Sequence, residues 1–313
     1  MGRRTHEPPP LAPLKRGIPR QLRMKYTPKL VEETPEDNVN IPHTSALGEL
    51  FLLLGGLIGL AVAAYIALGL AVNVIVQKMP PELEHHLGFL VSASLEGRAP
   101  TEADAALQEL VDRYLPMTPL SAGKYRVIVI PSAEANAMAL PGGYIVVLSG
   151  LLKELHSENE LAFILAHELG HFAHRDHLKG LGRGLALSAI STLLVGVDSH
   201  ITKFILGSLV SVDMKFSQRQ ETDADLFALD LLNRRYGHIG GATDFFQSLA
   251  DQEKLGRMAY FFATHPYPQD RVNALRKKIQ ERAYAEREEI PLDSRITSLP
   301  DASNATTFKD IFR

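Results

Sequence analysis

His167-Glu168-Leu169-Gly170-His171 decides how this 313-residue chain is read. The five residues fit H-E-x-x-H, a spacing that has physical content on an α-helix, where residues four apart lie one above the other on one face. There His167 and His171 can turn imidazole nitrogens toward a single metal ion. Glu168, one residue after the first histidine, can take the proton of a water held at that ion. The flanks supply the helix. Ser157 stands three residues before Glu160, a capping box that opens the apolar run Leu161-Ala162-Phe163-Ile164-Leu165-Ala166. Two imidazoles and a carboxylate deep in such a helix are costly unless something binds them. The bland alternative is a solvated His/Glu face on an ordinary helix.

A catalytic zinc needs a third protein ligand, and two residues compete. His177 stands where a metzincin places its third histidine, but that pattern needs a glycine where this chain has His174. Without the glycine the helix is expected to continue and carry His177 away. Glu221 opens a second helical segment, Glu221-Thr222-Asp223-Ala224-Asp225 followed by the apolar Leu226 to Leu232. Glu221 and Asp225 fall one turn apart on one face. Glu221 is therefore expected to ligate, and Asp225 to accept the free ring N–H of a ligating histidine. His174, Asp176 and His177 read as a polar helix end.

These residues bring the chain close to a known family. It resembles the M48 (HtpX/Oma1/Ste24-type) zinc metallopeptidases in four segments that occur in the family's order. They are Asn136 to Gly143 with Tyr144 to Leu152, the His167–His171 helix, Glu221 with Ala224-Asp225, and Thr264-His265-Pro266 with Arg271 beyond. The resemblance runs from about Tyr125 to Leu275, with one departure. The family usually has Ser-Arg four and three residues before the ligand glutamate, whereas here Ser217 is followed by Gln218 and the arginine is Arg219.

The resemblance implies one Zn2+ per subunit and polypeptide substrates. It also implies a place near the metal for His265, either hydrogen-bonding the developing oxyanion or occupying the open metal position in a resting protein. Arg271 would steady the site or the bound chain. Asn136, Ala137, Met138 and Ala139 would bind substrate. The residues themselves allow that last role. Tyr125 to Ile130 and Ile145 to Leu148 read as strands, the second entered through Pro141-Gly142-Gly143. The small side chains from Ala135 to Ala139 would let another chain approach an edge strand and add to it by main-chain hydrogen bonds. A plain hairpin packed on the helix is the simpler reading, and the two are compatible.

From Leu50 the chain reads LFLLLGGLIGLAVAAYIALGLAVNVIV, with no charge between Glu49 and Lys78. That length crosses a hydrocarbon core of about 30 Å. A signal peptide fits poorly, because the run is too long and starts too far from Met1. Residues 1–30 hold eight basic side chains against Glu7 alone, which favours a cytoplasmic N-terminus and a catalytic domain on the far, periplasmic-type side. A bacterial inner membrane is favoured, with the mitochondrial inner membrane as the alternative. Two shorter apolar stretches, Leu185 to Val197 and Ile205 to Val212, are expected to form a helical hairpin on the domain or against the membrane surface.

Composition agrees with a tethered globular domain. The net charge is −3 and argues against a nucleic-acid partner, and the absence of cysteine excludes a disulfide, a thiolate metal site or a cysteine nucleophile. Residues 1–46 read as a disordered basic, proline-rich segment, 47–78 as a transmembrane helix, 79–290 as the metallopeptidase domain and 291–313 as a mobile or surface-packed tail. Helices are expected at Glu82 to Val91, Glu102 to Tyr114, Thr243 to Phe262 and Arg271 to Ala285. The fold class is α+β, mostly helical, gluzincin-like, with a small β-sheet beside the active-site helix and one N-terminal membrane helix. The expected function is a membrane-anchored zinc endopeptidase in quality control of misfolded membrane or envelope proteins. A chaperone or assembly factor holding clients on the edge strand, and a prenyl-protein (CAAX-type) protease, are the alternatives.

Overall fold

The computed structural model describes residues 45–92, 98–195, 216–242, 244, 261, 264–266 and 268–299. Residues 1–44, most of the helix expected over Thr243 to Phe262, the apolar stretch Ile205 to Val212 and residues 300–313 lie outside them. The chain divides into two units, 1–57 and 58–313. What is described of the first is the opening of α1, with Leu47, Leu50, Phe51, Leu52 and Leu53 exposed.

Helix α1, Ala46–Lys78, has 33 residues, about 50 Å at 1.5 Å per residue. Among the described residues it is the one helix long and apolar enough to cross a membrane. Two short helices follow, α2 (Pro81–His86) and α3 (Phe89–Ser92), in place of the single helix expected there. The break falls at Gly88, against which the hairpin turn closes. A Cβ on Gly142, whose φ is +85°, would stand 2.2 Å from Gly88 Cα, so neither position tolerates a side chain.

Helix α4, Glu102–Tyr114, opens with a Thr101/Asp104 capping box. The sheet has three strands in the order β1-β3-β2, where the sequence suggested two. β1 (Arg126–Ile130) runs parallel to β3 (Tyr144–Leu148), with Arg126 opposite Tyr144. β2 (Ala137–Leu140) pairs antiparallel with β3, with Ala137 opposite Val147. Every other side chain goes to the same face. Val127, Val129, Ala137, Ala139, Ile145 and Val147 join the main core, while Ile128, Ile130, Met138, Leu140, Val146 and Leu148 form a second cluster with Val91.

Helices α4 and α6 (Glu158–Ala173) pack on the first of those faces, with α6 against β2. The smallness of Ala137 and Ala139 makes room for α6, the packing that the simpler hairpin reading expected. The outer edge of β1 is closed by side chains. Gln108 Oε1 accepts from Val127 N at 2.8 Å, Asp104 Oδ1 accepts from Val129 N at 2.6 Å, and Arg98 donates to Val129 O at 2.5 Å. With these outward groups of Val127 and Val129 taken by Arg98 and two side chains of α4, the β1 edge is a poor template for another strand. The edge nearest the metal cluster belongs to β2.

After α5 (Ser149–Leu152) and α6 come α7 (Asp176–Val195), α8 (Gln218–Tyr236), α9 (Pro268–Arg282) and α10 (Ser294–Thr297). Helix α6 packs most extensively on α8. The described part of the expected tail is packed on the domain. Pro291 forms an isolated antiparallel bridge with Ser157, Ile296 is buried, and Arg295 grips Glu109 through two bonds of 2.9 Å.

Candidate metal centre

The Ser157/Glu160 capping box opens α6 where the sequence placed it, and it sets His167 in the third turn. Ser217 caps α8 in the same way, through Gln220. The two helices meet at Gly170, and this close approach to Ala224 sets Glu221, one turn before it, and Asp225, the next residue, against the two histidines. Arg219 is not part of this set. Its side chain is 92% exposed, pairing with Asp223 at 3.7 Å, so the displaced arginine of the sequence faces solvent.

His167, His171, Glu221 and His265 each offer one ligand atom, all four within 4.8 Å of one another, and all four residues are buried. His167 Nε2 stands 3.1 Å from His171 Nε2 and 3.3 Å from His265 Nδ1. Glu221 Oε1 stands 3.1 Å from His265 Nδ1 and 3.5 Å from His171 Nε2. Donors about 2.0 Å from an ion at tetrahedral angles are about 3.3 Å apart, so these spacings fit a zinc-sized ion.

The imidazoles are also oriented for it. His167 Nδ1 donates to Asp225 Oδ1 at 2.9 Å, and His171 Nδ1 donates to Asp176 Oδ2 at 3.2 Å. A carboxylate only accepts, so each ring carries a proton on Nδ1, and a ring that gives up its Nε2 proton to a metal turns that lone pair inward. Phe216 stacks on His171, with centroids 3.8 Å apart and planes at 15°, which holds the ring flat.

Charge balance supports the same fit. Glu168, Glu221 and Asp225 are buried together against one guanidinium, that of Arg271. Arg271 Nε and Nη2 grip Asp225 at 2.8 and 2.7 Å, and Nη1 lies 2.7 Å from Glu221 Oε2. Of its two expected roles, steadying the site or the bound chain, this buried position serves the first and leaves no side chain exposed for substrate. An excess of buried negative charge is what a divalent cation offsets. Neither oxygen of the fully buried Glu168 makes a hydrogen bond, and His265 Nε2 is 3.7 Å away. That carboxylate is free for a reacting group.

Protonation follows from these contacts. Burial pushes the His167 imidazole down, against the hydrogen bond to Asp225. Burial also opposes charge on His171, but hydrogen bonds to Asp176 and Glu221 outweigh it and push that ring up to about 9. Glu221 resists burial's upward push because His265 and Arg271 hold it well below the usual range. Arg271 does the same for Asp225.

The expected substrate segment lies alongside. Ala137 O is 3.3 Å from His265 Nε2, and Ala137 N donates to the Asn136 side chain at 2.9 Å. Asn136 Nδ2 in turn reaches Thr264 Oγ1 at 3.3 Å. Met138 and Ala139 are buried, and Met138 belongs to the far face of the sheet. Gln220 and Phe216 escaped the sequence reading, and Asp176, read there as part of a polar helix end, bonds His171. His177, fully buried, turns from the metal cluster to bond Glu84 at 2.8 Å.

Residues 101–279, more than half of the chain, match the profile of peptidase family M48. The chain belongs to peptidase family M48. It is 32% identical over 156 residues to metalloprotease LoiP of Escherichia coli (strain K12), covering 48% of this chain and 61% of that protein. Mitochondrial metalloendopeptidase OMA1 of Schizosaccharomyces pombe is 26% identical over 179 residues, 56% of this chain and 52% of its own length. The beta-barrel assembly-enhancing protease of Escherichia coli (strain K12) is 25% identical over 213 residues, 62% of this chain and 43% of its own. The M48 chain described here thus spans less than two thirds of each of these relatives.

Proposed function

We propose that the chain is a membrane-anchored zinc endopeptidase, with His167, His171 and Glu221 as its metal-holding residues. The observation that supports this most is the buried set of four donors with the unbonded Glu168 carboxylate beside it. A zinc ion held there supplies a Lewis acid that polarises the scissile carbonyl and acidifies a water. Glu168 takes the proton of the attacking water and returns it to the leaving nitrogen. Asp225 and Asp176 keep the two imidazoles in the inward-facing tautomer, and Arg271 neutralises Glu221 and Asp225.

His265 has two uses. As placed, its Nδ1 completes the donor set, a resting arrangement. Displaced by substrate, the same ring is within reach to hydrogen-bond the oxyanion. The peptide would lie extended along β2, exchanging its main-chain bonds for those that Asn136 and His265 now make with Ala137.

The length and apolar composition of α1 support a domain held beside a bilayer. The names of the relatives, including a beta-barrel assembly-enhancing protease, support misfolded or misassembled envelope proteins as substrates. The catalytic domain would face the side opposite a cytoplasmic N-terminus. Metal analysis of the purified full chain tests the core of this reading. One zinc per chain, lost on Glu221→Gln, supports it; a chain that purifies without metal and takes up none contradicts it.

A further inference from the structure

Helix α6 ends at Ala173, and the chain turns into α7 through His174 and Arg175. Arg175 makes the turn with φ 57°, a left-handed conformation usually left to glycine. What an arginine gains there is visible. Its Nη1 donates to Val76 O and Met79 O, each at 2.6 Å, at the C-terminal end of α1. Beyond that contact α1 and α7 touch closely, since a Cβ on Gly182 would stand 2.5 Å from Val72 Cγ1.

The next residue, Asp176, is fully buried. Its Oδ2 accepts from His171 Nδ1 at 3.2 Å, and its Oδ1 accepts from Gln220 Nε2 at 2.8 Å and Lys179 Nζ at 3.0 Å. Gln220 directly precedes Glu221 on α8. One carboxylate therefore joins both helices that carry metal donors, and its chain neighbour holds the end of α1.

We propose that Arg175 and Asp176 form a clasp: Asp176 is a positioning residue that fixes the His171 ring for the metal, and Arg175 ties that placement to the seat of α1. The proposal rests on His167, His171 and Glu221 being the metal-holding residues. A carboxylate behind a ligating imidazole sets its rotation and tautomer, and losing it typically costs ~10–100-fold in metal affinity. Asp225 stands in that relation to His167, and Asp176 is its counterpart for His171. The rival account makes Asp176 only an acid in the first turn of α7, where it favours the helix dipole.

The test is zinc affinity of the detergent-solubilised full chain, by competition with a chelator, alongside melting of the metal-free protein. Asp176→Ala is expected to bind zinc ~10–100-fold more weakly. Asp176→Asn should fall between it and wild type, because the amide oxygen still accepts from Nδ1. Being isosteric, it also keeps the test open if the alanine variant does not fold. Arg175→Gly keeps the left-handed turn, removes the guanidinium and is expected to bind more weakly than wild type. Wild-type affinity in both Asp176 variants, with only the melting temperature lowered, overturns the positioning role. Wild-type affinity in Arg175→Gly overturns the tie to α1. A wild-type chain that binds no zinc overturns the metal reading itself and the clasp with it, which the variants alone would not do.

Discussion

A Cβ built on Gly170 of α6 would stand 2.9 Å from Ala224 Cα of α8, so the helices bearing the metal donors meet backbone to backbone. The third residue inside H-E-x-x-H is therefore a packing position. Gly170→Ala gains about 1 kcal/mol of helix propensity, but no rotamer change relieves a clash with backbone, so α8 must move. Glu221 moves with it. The expected outcome is weaker zinc retention against a chelator together with a lower melting temperature. A variant that is more stable and holds zinc as before would contradict this placement of α8.

Arg271 answers two buried carboxylates at once. Removing it strands Glu221 and Asp225, and breaking such a buried pair typically costs about 3–5 kcal/mol. Arg271→Ala should lose stability on that scale in chemical denaturation of the metal-free protein. Arg271→Lys should recover only part of it, since an ammonium cannot reproduce the two-pronged grip on Asp225.

Glu84 fastens α2 to α7 through His177. Burial pushes the Glu84 carboxyl up, but the hydrogen bond and charge of His177, with Arg175 and His85, hold it below its ordinary 4.5. A carboxyl depressed on folding adds stability above pH 4.5 and loses it as pH falls through the native value. Wild type should therefore be more stable than Glu84→Gln at neutral pH, with the gap closing in acid. Denaturation curves of both proteins across that range decide it, and a gap that widens in acid would contradict the assignment.

His265→Ala separates that residue's two uses. If it completes the donor set at rest and bonds the oxyanion in the reaction, the variant holds zinc less tightly and cleaves an unfolded protein more slowly at saturating zinc. Slower cleavage with unchanged zinc affinity would leave only the oxyanion role.

What the sequence disclosed follows from how local each relationship is. His167, Glu168 and His171 share one helix, and Glu221 and Asp225 share another, so spacing alone places them. Asp176 was taken for a polar helix end because its bond to His171 depends on the left-handed turn at Arg175, which the sequence does not mark with glycine. The parallel pairing of β1 with β3 joins segments separated by β2, and no turn motif announces it. Ala137 and Ala139 were legible as small, but what fills the space beside them is decided by α6, some twenty residues and more along the chain. The split of the helix before Gly88 likewise comes from Gly142, a contact no periodicity carries.

The most direct measurement is degradation of unfolded casein by the zinc-loaded full chain beside Glu168→Gln, with the zinc content of both determined. Cleavage by wild type alone, at equal zinc content, is the predicted result and assigns the proton transfer to Glu168. Equal cleavage by both proteins, or none by either while each holds one zinc, would contradict the account.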